Sequence, residues 1–137
     1  MNSRLLLYAF VFLPGLIFTK AQFIDGEILN VDEAFILNAS IIESKILISW
    51  NIKPGYYIYK KSILIQKGDE ILKHNYILKS ESKISDEFFG ESVIFKDDLE
   101  VDAELLDVNL GKLQSIKVIY QGCAEGKYCY PKVIKSL

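Results

Sequence analysis

The chain has 137 residues, half of them hydrophobic, with 16 basic and 18 acidic side chains and a net charge of −2. That balance lacks the concentrated basic face that nucleic-acid or anionic-membrane binding requires. Two cysteines and one histidine leave little room for metal or nucleophilic chemistry, and the length suits one domain with a core of its own.

The first segment carries Arg4, an apolar run from Leu5 to Phe18, and then "TKAQ". A basic start, a short apolar stretch and a small residue at Ala21 predict a secretory signal spanning residues 1–21, cleaved before Gln22. A retained membrane anchor is the rival reading, but a span needs about 20 apolar residues, and Pro14-Gly15 interrupts this run. Without Arg4 and Lys20, residues 22–137 keep 14 basic and 18 acidic residues, a net charge of −4. This part is expected outside the cytosol, where disulfides form.

A helical turn is expected near Val31–Ala34, and strands after it. In "KILISWNI", Ile46, Ile48, Trp50 and Ile52 point one way and Leu47, Ser49 and Asn51 the other. Pro54-Gly55 supplies a turn into "YYIYKKSILIQ", which is β-branched and aromatic and reads as the next strand. "DLEVDAEL" alternates Leu99, Val101, Ala103 and Leu105 with Asp98, Glu100, Asp102 and Glu104, predicting a half-buried strand with an acidic outer face. "QSIKVIYQG" is a further strand leading into Cys123, and "YCYPKVI" begins its partner. Short strands between turn signals, with no long amphipathic helix, predict an all-β antiparallel sandwich of one domain, residues 22–137.

Few of the polar residues look chemical. A four-ligand zinc site cannot be made from Cys123, Cys129 and a distant His74 without carboxylates, so no metal is expected. His74 reads as an exposed loop or strand residue with no nucleophile elbow near it. Asn38-Ala39-Ser40 matches a glycosylation sequon of a kind frequent by chance. There remains "YQGCAEGKYCYP", which holds both cysteines and crowds Tyr128 and Tyr130 onto the second. As a staple, a seven-residue ring is worth roughly 2.4 kcal/mol in the chain-entropy model, against about 4.7 for a hundred-residue loop. A structural bridge and a redox pair both remain open on these grounds.

The same stretch resembles the active-site hairpin of the amino-terminal periplasmic domain of the DsbD family, thiol:disulfide interchange proteins of Gram-negative bacteria. The family pattern is Tyr-Gln-Gly-Cys, five residues, then Cys-Tyr-Pro. Two more stretches agree with the family: Trp50, Gly55, Tyr56, Tyr57, Tyr59 and Lys61 in "WNIKPGYYIYKKSI", and Asp86, Glu87, Phe88, Phe89 and Gly90 in "DEFFGES". The resemblance implies an immunoglobulin-like sandwich and a redox-active disulfide, Cys123–Cys129, working without a bound cofactor. It implies that Cys129 forms the mixed disulfide with a partner and Cys123 resolves it.

By the same resemblance, residues 86–90 form a cap loop with Phe88 at its tip, and Tyr57, Tyr59, Tyr128 and Tyr130 line the site. Carboxylates at Asp86 and Glu87 would raise the thiol pKa, since negative charge disfavours a thiolate. The implied partners are a thioredoxin-like donor fed by a membrane reductase, and periplasmic acceptors such as the disulfide isomerase or a cytochrome c maturation thioredoxin. A monomeric periplasmic protein-disulfide reductase is the expectation. Two departures from the family stand out. The transmembrane and thioredoxin-like parts of the family do not follow Leu137 in this sequence, so the chain is expected to be a stand-alone domain or a truncated product. Lys132 stands where a second proline is common, which bears on the path of the last strand. The rival of another class is a β-sandwich binding or assembly module with a purely structural disulfide.

Overall fold

A computed structural model describes residues 26–105 and 115–137; the expected leader lies outside them. After one helical turn, α1 (Val31–Ala34), come strands β1 (Phe35–Ile42), β2 (Lys45–Ile52) and β3 (Tyr56–Tyr59). A 3-10 turn at Lys60–Ser62 leads to β4 (Leu64–Lys67), β5 (Glu70–Leu72), β6 (His74–Asp86) and β7 (Gly90–Glu104). The chain finishes with β8 (Ile116–Tyr120), β9 (Gly122–Ala124), β10 (Tyr128–Cys129) and β11 (Val133–Ser136). The expected helical turn is present, closed where the Glu33 carboxylate accepts the Asn30 N–H at 3.2 Å.

Two antiparallel sheets form among the described residues. One runs β1-β2-β7-β3-β9-β10, with β6 also paired to β7; the other runs β11-β8-β4-β5. The fifteen-residue β7 is the spine of the first sheet. It takes β2 and β3 along one edge and β6 along the other, since Val101 faces both Ile48 and Tyr76, and Phe95 both Ile58 and Glu81. The predicted alternation holds in both strands. Ile46, Ile48, Trp50 and Ile52 are buried, as are Leu99, Val101, Ala103 and Leu105. On the outer face of the pair, Lys45 and Asn51 reach Asp102 and Asp98 at 3.0 and 2.7 Å.

The stretch "YYIYKKSILIQ" is not one strand. It crosses from the first sheet to the second at the 3-10 turn, and the segment paired with it crosses beside it at Gln121: β3 pairs with β9 in one sheet, β4 with β8 in the other. The reason is a local set of hydrogen bonds that replaces the ladder. Ser62 Oγ donates to the Tyr59 carbonyl at 2.7 Å and accepts the Gln121 N–H at 2.9 Å, while the Tyr59 N–H reaches the Gln121 carbonyl at 3.0 Å. One hydroxyl thereby satisfies two backbone groups that the switch would otherwise leave buried and unpaired, each costly to orphan. Lys132 does not divert the end of the chain: β11 pairs with β8 from Val133↔Tyr120 to Ser136↔Lys117.

Candidate active site

Cys123 lies on β9 and Cys129 on β10, directly opposite one another in the ladder, and the two are joined by a disulfide with Cα atoms 4.0 Å apart. The hairpin between them closes through Gly126, whose φ of +68° is the left-handed conformation that glycine adopts without strain. The two sulfurs are not equivalent. Cys123 is 1% exposed and packs with Tyr57, Tyr59 and Ile94, whereas Cys129 is only half-buried.

Gly122 is fixed by space. A Cβ there would lie 2.4 Å from the Phe35 ring and 2.8 Å from the Tyr57 carbonyl oxygen. Phe35 in turn meets Tyr56, Tyr120 and Tyr130 edge-on, with ring centroids 5.6–5.9 Å apart. The motif glycine therefore lets the hairpin lie flat against the aromatic end of the core.

β3 brings the tyrosines in. Tyr57 faces Cys123 across the ladder, and Tyr59 lies on the same face two residues on. The Tyr59 hydroxyl oxygen is 3.5 Å from Cys123 Sγ and 3.8 Å from Cys129 Sγ. Both hydroxyls donate to Asp86 Oδ2, Tyr57 at 2.9 Å and Tyr59 by a short bond. Burial above all pushes the Tyr57 phenol up to about 12 and raises that of Tyr59 as well, so both keep their protons at neutral pH. Because the Tyr59 proton is committed to Asp86, what this oxygen offers the sulfurs is a lone pair. A thiol can donate to it; a thiolate cannot.

Asp86 ends β6 and forms the turn that follows. Its Oδ1 accepts the backbone N–H groups of Phe88 at 3.0 Å and Phe89 at 2.8 Å, and Gly90 completes the turn at φ +65°. Burial pushes the Asp86 carboxyl up. Hydrogen bonds from Tyr59, the Phe89 amide, Tyr57 and the Phe88 amide outweigh that and hold it below its ordinary 3.8. A lowered folded-state value adds stability that is complete above the ordinary carboxylate range and is lost as pH falls through the folded value. The turn is accordingly intact at neutral pH, with a negative charge one hydroxyl away from the sulfurs.

Around this centre the remaining expected site residues divide. The Phe89 ring meets the Tyr59 ring edge-on at 4.8 Å. Phe88 and Glu87 are exposed in the turn, Phe88 with its N–H on Asp86. Tyr128 is exposed beside Cys129. Tyr130 is buried in the main core and its hydroxyl donates to the Leu29 carbonyl, so it anchors the hairpin from behind. His74 stays apart from the site, 3.3 Å from the Tyr76 hydroxyl on β6. Ser62, which holds the sheet switch that follows β3, went unnoticed in the sequence because an isolated serine in a polar "KKS" stretch carries no signal.

Negative charge near a thiol disfavours its thiolate, so the Asp86 carboxylate is expected to act against ionisation once the pair is reduced. Asp86→Asn removes the charge while keeping an oxygen for the two turn amides. The pH midpoint of Cys129 alkylation in the reduced protein is expected to fall in this variant; an unchanged midpoint would mean that Asp86 does not act on the sulfurs.

Comparison with known proteins bears on the family and the fold. Residues 25–136 match the family described as "Thiol:disulfide interchange protein DsbD, N-terminal". The chain is 37% identical over 117 residues to the thiol:disulfide interchange protein DsbD of Haemophilus ducreyi, an overlap that takes in 85% of this chain and 19% of that protein. It thus spans about a fifth of the length of this curated relative. In fold it resembles the crystal structure of the DsbD N-terminal domain of Neisseria meningitidis in the reduced form, with a TM-score of 0.62 and 23% identity over 80% of this chain and 86% of that one. It also resembles a chain from the complex between the DsbD N-terminal and PilB N-terminal domains of N. meningitidis, with a TM-score of 0.54 and 24% identity over 80% and 85% of the two chains. A family match over residues 25–136 and 37% identity across 85% of the chain settle its membership: the chain belongs to the DsbD N-terminal domain family of thiol:disulfide interchange proteins.

Proposed function

We propose that the Cys123–Cys129 pair is a periplasmic electron relay. It accepts electrons from a thioredoxin-like donor fed by a membrane reductase and passes them to periplasmic disulfide acceptors, among them a disulfide isomerase or cytochrome c maturation thioredoxin. The observation that carries this reading is the asymmetry of the pair, with one sulfur sealed against Tyr57, Tyr59 and Ile94 and the other only half-buried on β10. Support for a protein partner comes from the Neisseria domain of this family that is described in a complex with the PilB N-terminal domain.

In the reduced state Cys129 loses its proton as the partner docks, and its thiolate attacks one sulfur of the acceptor disulfide. The other acceptor sulfur leaves as a thiolate, and a mixed disulfide remains. Cys123, buried next to Cys129, then loses its own proton and attacks Cys129 Sγ. The acceptor's second thiolate is released, and the Cys123–Cys129 bond reforms. Two electrons and two protons pass to the acceptor, and the pair needs no cofactor. Re-reduction by the donor runs the same steps in reverse. Asp86 and Tyr59 keep the resting dithiol protonated and slow, so that activation falls to the docked partner.

The test uses residues 22–137 with the pair reduced, mixed with an oxidised thioredoxin-like domain, quenched by alkylation and resolved by intact mass. Dithiol is expected to appear in the partner as disulfide appears in this chain, one for one. No transfer to any thioredoxin-like domain of a periplasmic isomerase or cytochrome maturation type would overturn the reading.

A further inference from the structure

Lys61 stands in the "GYYIYKK" stretch with no chemistry assigned to it, yet its ammonium lies 4.9 Å from the centroid of the Phe89 ring. That ring is the one in edge contact with Tyr59. Tyr59 and Lys61 thus both hold one aromatic ring of the cap turn, the first by an edge contact and the second by a cation over the ring. Lys60, the neighbouring residue of the same 3-10 turn, goes the opposite way. Its ammonium binds Glu81 at 3.1 Å and lies over the Tyr76 and Phe95 rings at 5.5 and 6.0 Å. The turn at Lys60–Ser62 therefore grips the β6–β7 hairpin twice, once along its length and once at its tip.

We propose that Lys61 is the latch of the cap: its contact with Phe89 holds the turn against Tyr59, whose hydroxyl lies beside both sulfurs, and it acts as a positioning residue for exchange. The proposal rests on the relay reading, since a staple needs no latch. Lys61 is exposed, and a cation over an aromatic ring at an exposed site shifts an equilibrium by about two- to fivefold. Added to the Asp86 hydrogen bonds and the Tyr59 ring contact, which keep the turn predominantly closed, a latch of that size multiplies the closed-to-open ratio about two- to fivefold and still leaves the cap open to displacement by a docking partner. Asp86 fixes the backbone of the turn through Phe88 and Phe89, while Lys61 fixes a side chain. The two supports can therefore be separated by mutation.

The pair is reduced chemically and alkylated with iodoacetamide, an uncharged probe, over a range of pH, and followed by intact mass. The limiting rate at full thiolate reports access to Cys129; the pH midpoint reports nearby charge. Lys61→Met keeps the stem and removes the charge, and is expected to raise the limiting rate about two- to fivefold. Lys61→Arg keeps a cation that stacks on rings and should restore the wild-type rate. Lys60→Met should leave the limiting rate unchanged, and in a Phe89→Leu background Lys61→Met should add nothing. An unchanged limiting rate in Lys61→Met would overturn the proposal. So would a fast Lys61→Arg variant, a fast Lys60→Met variant, or an effect that persists without the Phe89 ring. Because the reduction is chemical, the outcome is independent of any partner, and failure of the latch is read separately from failure of the relay.

Discussion

Gly122→Ala is expected to cost about 3 kcal/mol or more of stability, the upper end of what an added methyl costs in a packed core. For a domain of this size that lowers the midpoint of thermal unfolding by more than about 10 °C. The two atoms that a Cβ would strike differ in how far they can yield. The Phe35 ring, 2.4 Å away, could swing only by giving up its edge contacts with Tyr56, Tyr120 and Tyr130. The Tyr57 carbonyl, 2.8 Å away, is backbone of the strand that pairs with β9. Moving it pulls on the residue that faces Cys123, so the variant should also disturb the site while leaving the cysteines in place. Gly126→Ala is the useful contrast: nothing lies within 4 Å of that position, and its cost comes from φ alone, about 1 kcal/mol. Thermal unfolding of the two variants checks the ranking; equal costs would mean that the close packing under the hairpin is not what the motif glycine serves.

The second large effect is all-or-none and concerns which sulfur meets the partner. With Cys123→Ser, attack by Cys129 still forms the mixed disulfide but nothing resolves it, and the adduct with an oxidised thioredoxin-like domain should accumulate. With Cys129→Ser the remaining thiol is 1% exposed, behind Tyr57 and Tyr59, and no adduct should form. Non-reducing electrophoresis with intact mass distinguishes the two. Adduct from the Cys129→Ser protein and none from Cys123→Ser would reverse the roles and contradict the argument from burial. Both variants lose the bridge equally, so lost stability cannot produce the difference.

Much of this molecule was legible in its sequence because burial writes a period into a strand. The alternation of Ile46, Ile48, Trp50 and Ile52, and of Leu99, Val101, Ala103 and Leu105, marked two neighbouring strands and their buried faces before any coordinates. The site was legible for another reason. The Tyr57–Tyr59 pair lies 27 or more residues from the Asp86 turn, and both lie further still from the cysteines, so periodicity says nothing about their meeting. Motif resemblance brought them together on paper, and the hydrogen bonds to Asp86 Oδ2 join them in space.

What escaped the sequence reading has identifiable causes. The break after Tyr59 was hidden because a sheet switch keeps the β-branched and aromatic composition of a strand on both sides. Only the Ser62 hydroxyl and Gln121, distant in sequence, reveal it. β6 has no clean alternation: it is largely exposed and carries register shifts between Tyr76 and Ser80, and its pairing with β7 rather than its own pattern makes it a strand. Which cap phenylalanine reaches Tyr59 depends on the handedness of a turn set by Asp86 and Gly90, and the dipeptide Phe88-Phe89 gives no hint of it.

The most direct measurement on the central claim is the reduction potential of Cys123–Cys129 in residues 22–137, by titration in a thiol/disulfide buffer with alkylation and intact mass, together with the unfolding midpoint of each redox form. A relay pair should titrate clearly above about −300 mV, where structural bridges of secreted proteins typically fall below, and both forms should be folded. The seven-residue ring favours the second outcome, since closing it contributes only roughly 2.4 kcal/mol in the chain-entropy model. A potential well below −300 mV, or unfolding on reduction, would contradict the account and make the bridge a staple in a binding module.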